Sequence, residues 1–70
     1  MRYLVVIEET STGYSAFSPE VPGCIATGAT KEEVRERIQE ALEFHIDGLR
    51  VDGEPVPQST TSSCYVEIAA

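Results

Sequence analysis

Pro19-Glu20-Val21-Pro22-Gly23-Cys24, followed by Gly28-Ala29-Thr30-Lys31-Glu32-Glu33, is the stretch that decides the architecture of this 70-residue chain. Proline lacks the N–H that a β-ladder requires, so Pro19 ends the strand that precedes it. Pro22-Gly23 then turns the chain, and Cys24-Ile25-Ala26-Thr27 reads as a short strand closed by Gly28. Thr30 and Glu33 make a capping-box pair, in which the hydroxyl accepts from the backbone N–H three residues on and the carboxylate reaches back. A helix therefore begins at Lys31.

Beyond that start, Val34, Ile38, Ala41, Leu42, His45 and Leu49 recur in one stripe at helical spacing, with the charged residues mostly outside it. The pattern predicts an amphipathic helix of about five turns. Glu32 and Glu33 suit the positive end of its dipole, and Glu33 has Arg37 four residues on. Asp52-Gly53 marks the exit, Pro55 and Pro57 impose an extended connection, and residues 59–63 read as a mobile polar loop.

On the other side of the opening stretch, residues 2–8 form an aromatic and β-branched run that is apolar on both faces, as in the middle of a sheet. Residues 9–13 supply turn chemistry, and residues 13–18 pair back as a hairpin partner. At the far end, residues 64–69 alternate as a last strand, with Cys64, Val66 and Ile68 on one side and Tyr65, Glu67 and Ala69 on the other.

The order is β-β-β-α-β in one α+β domain over residues 1–70, a two-layer arrangement with one helix on one face of the sheet. Strands 1–3 form an antiparallel meander, and a right-handed crossover sets strand 4 parallel to strand 1, for a sheet order of 3-2-1-4. One helix covers one face only, so the other face is expected to meet a second subunit or another protein, as in a homo-oligomer of two or more copies. Strand alternation turns Tyr14 and Ala16 toward the helix and Phe17 outward. Phe17 thus heads the candidate contact residues, with Tyr3, Val5 and Tyr65 beside it.

Twelve acidic residues against five basic ones leave a net charge of −7. Affinity for nucleic acid rests on Lys and Arg displacing counterions, so the balance argues against direct nucleic-acid binding. A basic partner is the natural complement, with plain solubility as the alternative reading. No apolar run approaches the roughly 20 residues of a membrane span. Without a basic, apolar leader, the expectation is a cytoplasmic chain with Cys24 and Cys64 as free thiols, a single bridge between them being the alternative.

No catalytic, cofactor-binding or metal-binding set emerges. Two distant cysteines and one histidine match no zinc-ligand spacing. His45 stands alone in the apolar stripe and reads as a packed or interface residue, while Cys24 reads as buried behind the turn. Glu8, Glu67, Glu36, Glu40 and Glu43 are the carboxylates that a two-metal nuclease would have to bring together, and their positions read as solvent-facing.

Residues 14–24, the Gly28-Ala29-Thr30-Lys31-Glu32-Glu33 entry and the run LEFHIDGLRVDGEPVP over 42–57 together resemble the HicB antitoxin family, over roughly residues 2–58. The resemblance implies a partial RNase H-like fold and a non-enzymatic protein that binds a small basic HicA-type toxin, an mRNA-cleaving ribonuclease, and occludes its active surface. Many members carry a C-terminal DNA-binding domain. This chain ends after the last predicted strand, so repression of its own operon is not expected of it. Phe17 stands where the family pattern often has a polar residue, and Ser18 where it often has an apolar one. The alternatives to an antitoxin are an orphan oligomeric protein of the same fold and a residual metal-dependent nuclease.

Overall fold

A four-residue polar connection brings two strands together, because the Gly13 carbonyl accepts from the Thr10 N–H at 2.9 Å and closes the turn between them. The computed structural model describes residues 1–69, with strands β1 (Val6–Glu9), β2 (Tyr14–Phe17) and β3 (Ile25–Gly28) followed by helix α1 (Lys31–Val51). The strands form an antiparallel meander in the order β1-β2-β3. Val6 pairs with Phe17, and Phe17 in turn with Ile25.

The first strand is shorter than its sequence suggests. Its last partner is Phe17: Pro19 has no N–H to offer beyond it, and the Leu4 N–H is taken by the Glu20 carboxylate instead of a ladder carbonyl. Residues 3–5 consequently run on without a ladder partner, although Tyr3 and Val5 still pack against the core. The corner itself drives Val21 fully out of solvent and buries Ser18, whose hydroxyl accepts from the Glu20 N–H.

The helix begins as its cap demands. Thr30 is extended, its hydroxyl accepts from the Glu33 N–H at 3.1 Å, and the Glu33 carboxylate reaches back to the Ala29 N–H at 3.4 Å. Gly28 lets the strand end lie against this first turn: a Cβ there would stand 2.8 Å from the Val34 nitrogen. At the other end Gly53, with φ of +71°, donates to the Arg50 carbonyl while Glu54 donates to that of Leu49. This is the paired bonding of a Schellman cap, which only a left-handed residue completes without strain.

The core lies between α1 and one face of the sheet, and consists of Ala16, Val21, Cys24, Val34, Ile38 and Ile46. Ile46 replaces His45 in the stripe that the sequence predicts. The 100° step of the helix carries His45 out to solvent, while Ile46 turns in beneath Leu42 and Leu49.

Two further expectations are corrected. Residues 59–61 are not loose, because the Glu20 carboxylate holds them. And residues 64–69 pair with no strand among the described residues, so β1 is an edge and the strand 4 expected parallel to it is missing from the chain's own sheet. The helix lies over β3 and β2 and reaches β1 least.

Candidate functional site

The open face of the sheet carries the bulkiest unpaired surface. Cross-strand partners point the same way, so Val6, Phe17 and Ile25 form a row across all three strands on the side away from Ala16. Ala16 is fully buried against the helix, whereas Phe17 is 37% and Ile25 69% exposed. The next row, Glu8, Ser15 and Thr27, is polar. The apolar character of the face is therefore concentrated at the end nearest the proline-glycine corner.

Around the β3 edge, Ile25 also borders a groove of about 910 Å³ that continues to Phe44, His45 and Leu49 of the helix. Phe44 is 72% exposed. Arg37, Glu40, Asp52 and Glu54 complete its lining, so the groove has an apolar floor and mainly acidic sides. Cys24, at its base, is buried, and desolvation pushes its thiol pKa up, which keeps it protonated and inert.

Along the exposed helix, Glu32, Glu36, Glu40, Glu43 and Asp47 make an acidic stripe. The cations within reach are few. Among the described residues Arg37 pairs with Glu33 at 2.6 Å and donates to the Thr27 carbonyl, and Arg50 stands 3.9 Å from Asp47. Like charges four residues apart oppose helix formation, so most of this stripe is held at a small cost in local stability.

Glu20 organises the other end of the molecule. Its carboxylate accepts from the backbone N–H groups of Leu4 (2.7 Å), Thr60 (2.7 Å) and Thr61 (2.8 Å) and from the Ser59 hydroxyl (3.0 Å). These donors, the Leu4 and Thr61 amides foremost, lower its pKa from 4.5 to about 2. The tyrosine hydroxyl of Tyr3 donates to the Pro57 carbonyl beside it. Corner, N-terminal lead and C-terminal segment are thereby tied at one carboxylate.

The four contact residues singled out from the sequence do not share a surface. Phe17 lies on the open face; Tyr3 and Val5 pack against the core on the helix side; Tyr65 stands fully exposed on the C-terminal segment. Ile25 and Phe44 were not legible as surface residues, since a four-residue strand and an exposed helix position look the same in the sequence as their buried neighbours. Glu20 gave no signal either, because its partners, three backbone amides and a hydroxyl, lie 16 to 41 residues away. Among the described residues no three His, Cys, Asp or Glu side chains converge to hold a metal ion, and Glu8 and Glu67 stand on separate elements. No helix is long and apolar enough to cross a membrane.

Residues 3–68 match the model of the HicB_like antitoxin of bacterial toxin-antitoxin systems. An uncharacterized 14.9 kDa protein of Haemophilus phage HP1 is 38% identical over 66 residues, spanning 94% of this chain and 50% of that protein. A UPF0150 protein of Thermoplasma acidophilum is 33% identical over 67 residues, 94% of this chain and 97% of its own length. Antitoxin HicB 2 of Photorhabdus laumondii is 34% identical over 71 positions, covering all of this chain and 51% of the antitoxin. The chain thus spans about half the length of the phage protein and of the Photorhabdus antitoxin. Among solved structures, a chain of a HicA3 and HicB3 toxin-antitoxin complex superposes with a TM-score of 0.71 at 28% identity, over 86% of this chain and 70% of that one. The three-stranded sheet, the capped helix and the corner that joins them are those of a HicB-type protein, and the chain belongs to the HicB-like antitoxin family of bacterial toxin-antitoxin systems.

Proposed function

We propose that this chain is the inhibitory half of a toxin-antitoxin pair: it binds a small basic HicA-type ribonuclease and covers the surface that cleaves mRNA, without catalysis of its own. The observation that carries this reading is the likeness to a chain of a HicA3 and HicB3 complex. The acidic helix stripe supports it, because unneutralised carboxylates attract a basic protein and repel RNA. In this reading the domain is cytoplasmic, its sheet is the core of a partial RNase H-like fold, and the toxin lies along the acidic side of α1.

The row of Val6, Phe17 and Ile25 supports self-association through the open sheet face, with Phe17 as a subunit contact in this reading. Tyr3 and Val5 act there from behind, as support for the sheet. Co-expression with a small basic HicA-type toxin tests the inhibitory role. The two proteins should co-purify, and the toxin's RNA cleavage should fall on addition of this chain. Neither binding nor protection would leave the orphan oligomer as the better account.

A further inference from the structure

The C-terminal segment has the sequence of a strand and the surroundings of none. A compact chain of 70 residues has a radius of gyration of about 11 Å. This one measures 14.0 Å, with extents of 50 × 27 × 16 Å, so part of it projects from the body. Residues 62–69 are exposed throughout; Val66 and Ile68, on one side of the alternation, are 73% and 79% exposed. An arm that keeps a β-pattern and buries neither face is incomplete as it stands.

Its root, by contrast, is fixed. Glu20 holds Ser59, Thr60 and Thr61 against Leu4, next to the start of β1. A tethered root reduces the ordering entropy that an arm loses on docking. The nearest vacant ladder is the outer edge of β1, which has β2 on one side and, among the described residues, nothing on the other. Ile7 shares its face with buried Ala16 yet remains 38% exposed, because no strand follows β1 to cover it. The six residues 64–69 reach about 20 Å, enough to run the length of β1 and part of its lead.

We propose that residues 64–69 of one copy add as a fourth strand along the β1 edge of a second copy, and reciprocally. Such an exchange is self-complementary about a two-fold axis and pairs the β1 edge of both copies at once. Charge selects the occupant. From Pro55 to Ala70 the only charged residue is Glu67, in a chain that otherwise carries a dense excess of acid. The arm can approach a second acidic copy with little repulsion, whereas a basic partner finds almost nothing on it to pair with. The exchange is independent of the toxin, and it differs from association through the open sheet face.

Sedimentation and hydrogen exchange on the full chain alone test it. The full chain should sediment as a dimer or a multiple of it. In a Phe17→Ser background, which removes association through the open face, Val66→Pro deletes a ladder donor from the arm and should convert the dimer to a monomer with unchanged helical circular dichroism. The outward amides of Val6–Glu9 should be protected in the dimer and exchange freely in Val66→Pro, with the β3 edge unaffected. If the proline variant loses its fold, Val66→Ser with Ile68→Ser is the milder probe and should weaken dimerisation alone. Phe17→Ser, on the open face, should leave the exchanged dimer in place. A monomeric full chain, a dimer that survives Val66→Pro in the Phe17→Ser background, or lost protection at β3 instead of β1 would each overturn the exchange.

Discussion

The two faces of the sheet are built to opposite rules. On the helix side small residues, Ala16 and Ala26, let α1 come close, and Val34, Ile38 and Ile46 fill the remaining space. On the open side the same three strands present Val6, Phe17 and Ile25, side chains too large to be needed by a sheet that packs on nothing. The closed face accounts for the fold. The open face carries the proposed self-association.

Substitutions should respect that division, and the largest effect belongs to the closed face. Ile38 is among the largest fully buried side chains, and Ile38→Ala should destabilise by about 2–5 kcal/mol, a large part of the roughly 4–10 kcal/mol that a domain of this size has in total. Urea titration will show it as a lower midpoint with a similar slope. Gly28→Ala comes next, at about 1–3 kcal/mol, because its methyl meets helix backbone that cannot swing aside. If thermal unfolding of this variant matched the parent, the close approach of β3 and α1 would be in doubt.

On the open face, Phe17→Ser should cost about 1 kcal/mol or less in unfolding free energy, the scale of a cross-strand pair, while abolishing higher association in sedimentation. An unfolded Phe17→Ser protein would mean that the two faces are not separate after all. The smallest effect is local and depends on pH. Glu20 is lowered to about 2 from 4.5, so its contribution is complete above about 4.5 and is lost as pH falls toward 2. The amides of Thr60 and Thr61 should gain exchange rate across that window in the parent and show no such transition in Glu20→Gln. A transition in both would assign the change to another carboxylate.

Local punctuation was readable from the sequence, and distant pairing was not. Thr30 and Glu33 announce the helix start because capping is a contact across three residues, and Gly53 announces its end for the same reason. The outward turn of Phe17 follows from alternation once Pro19 fixes where the strand stops. His45 and Ile46, adjacent and both compatible with an apolar stripe, could not be separated by periodicity alone, since a packed helix chooses its buried side to within less than one residue's rotation. The last strand failed for a different reason. Alternation reports that residues 64–69 can pair, and says nothing about whether the partner lies in the same chain. The Glu20 cluster joins residues 4, 20 and 59–61, a contact for which no spacing rule exists.

The two cysteines end up in unlike circumstances: Cys24 is buried with its thiol pushed toward the protonated form, and Cys64 stands in the open on the arm. Only a thiolate reacts readily with alkylating reagents, so the protein behaves chemically as if it had a single cysteine. A fluorophore or spin label added to the unmutated chain will go to position 64, on the segment whose docking is in question. The molecule comes with its own reporter.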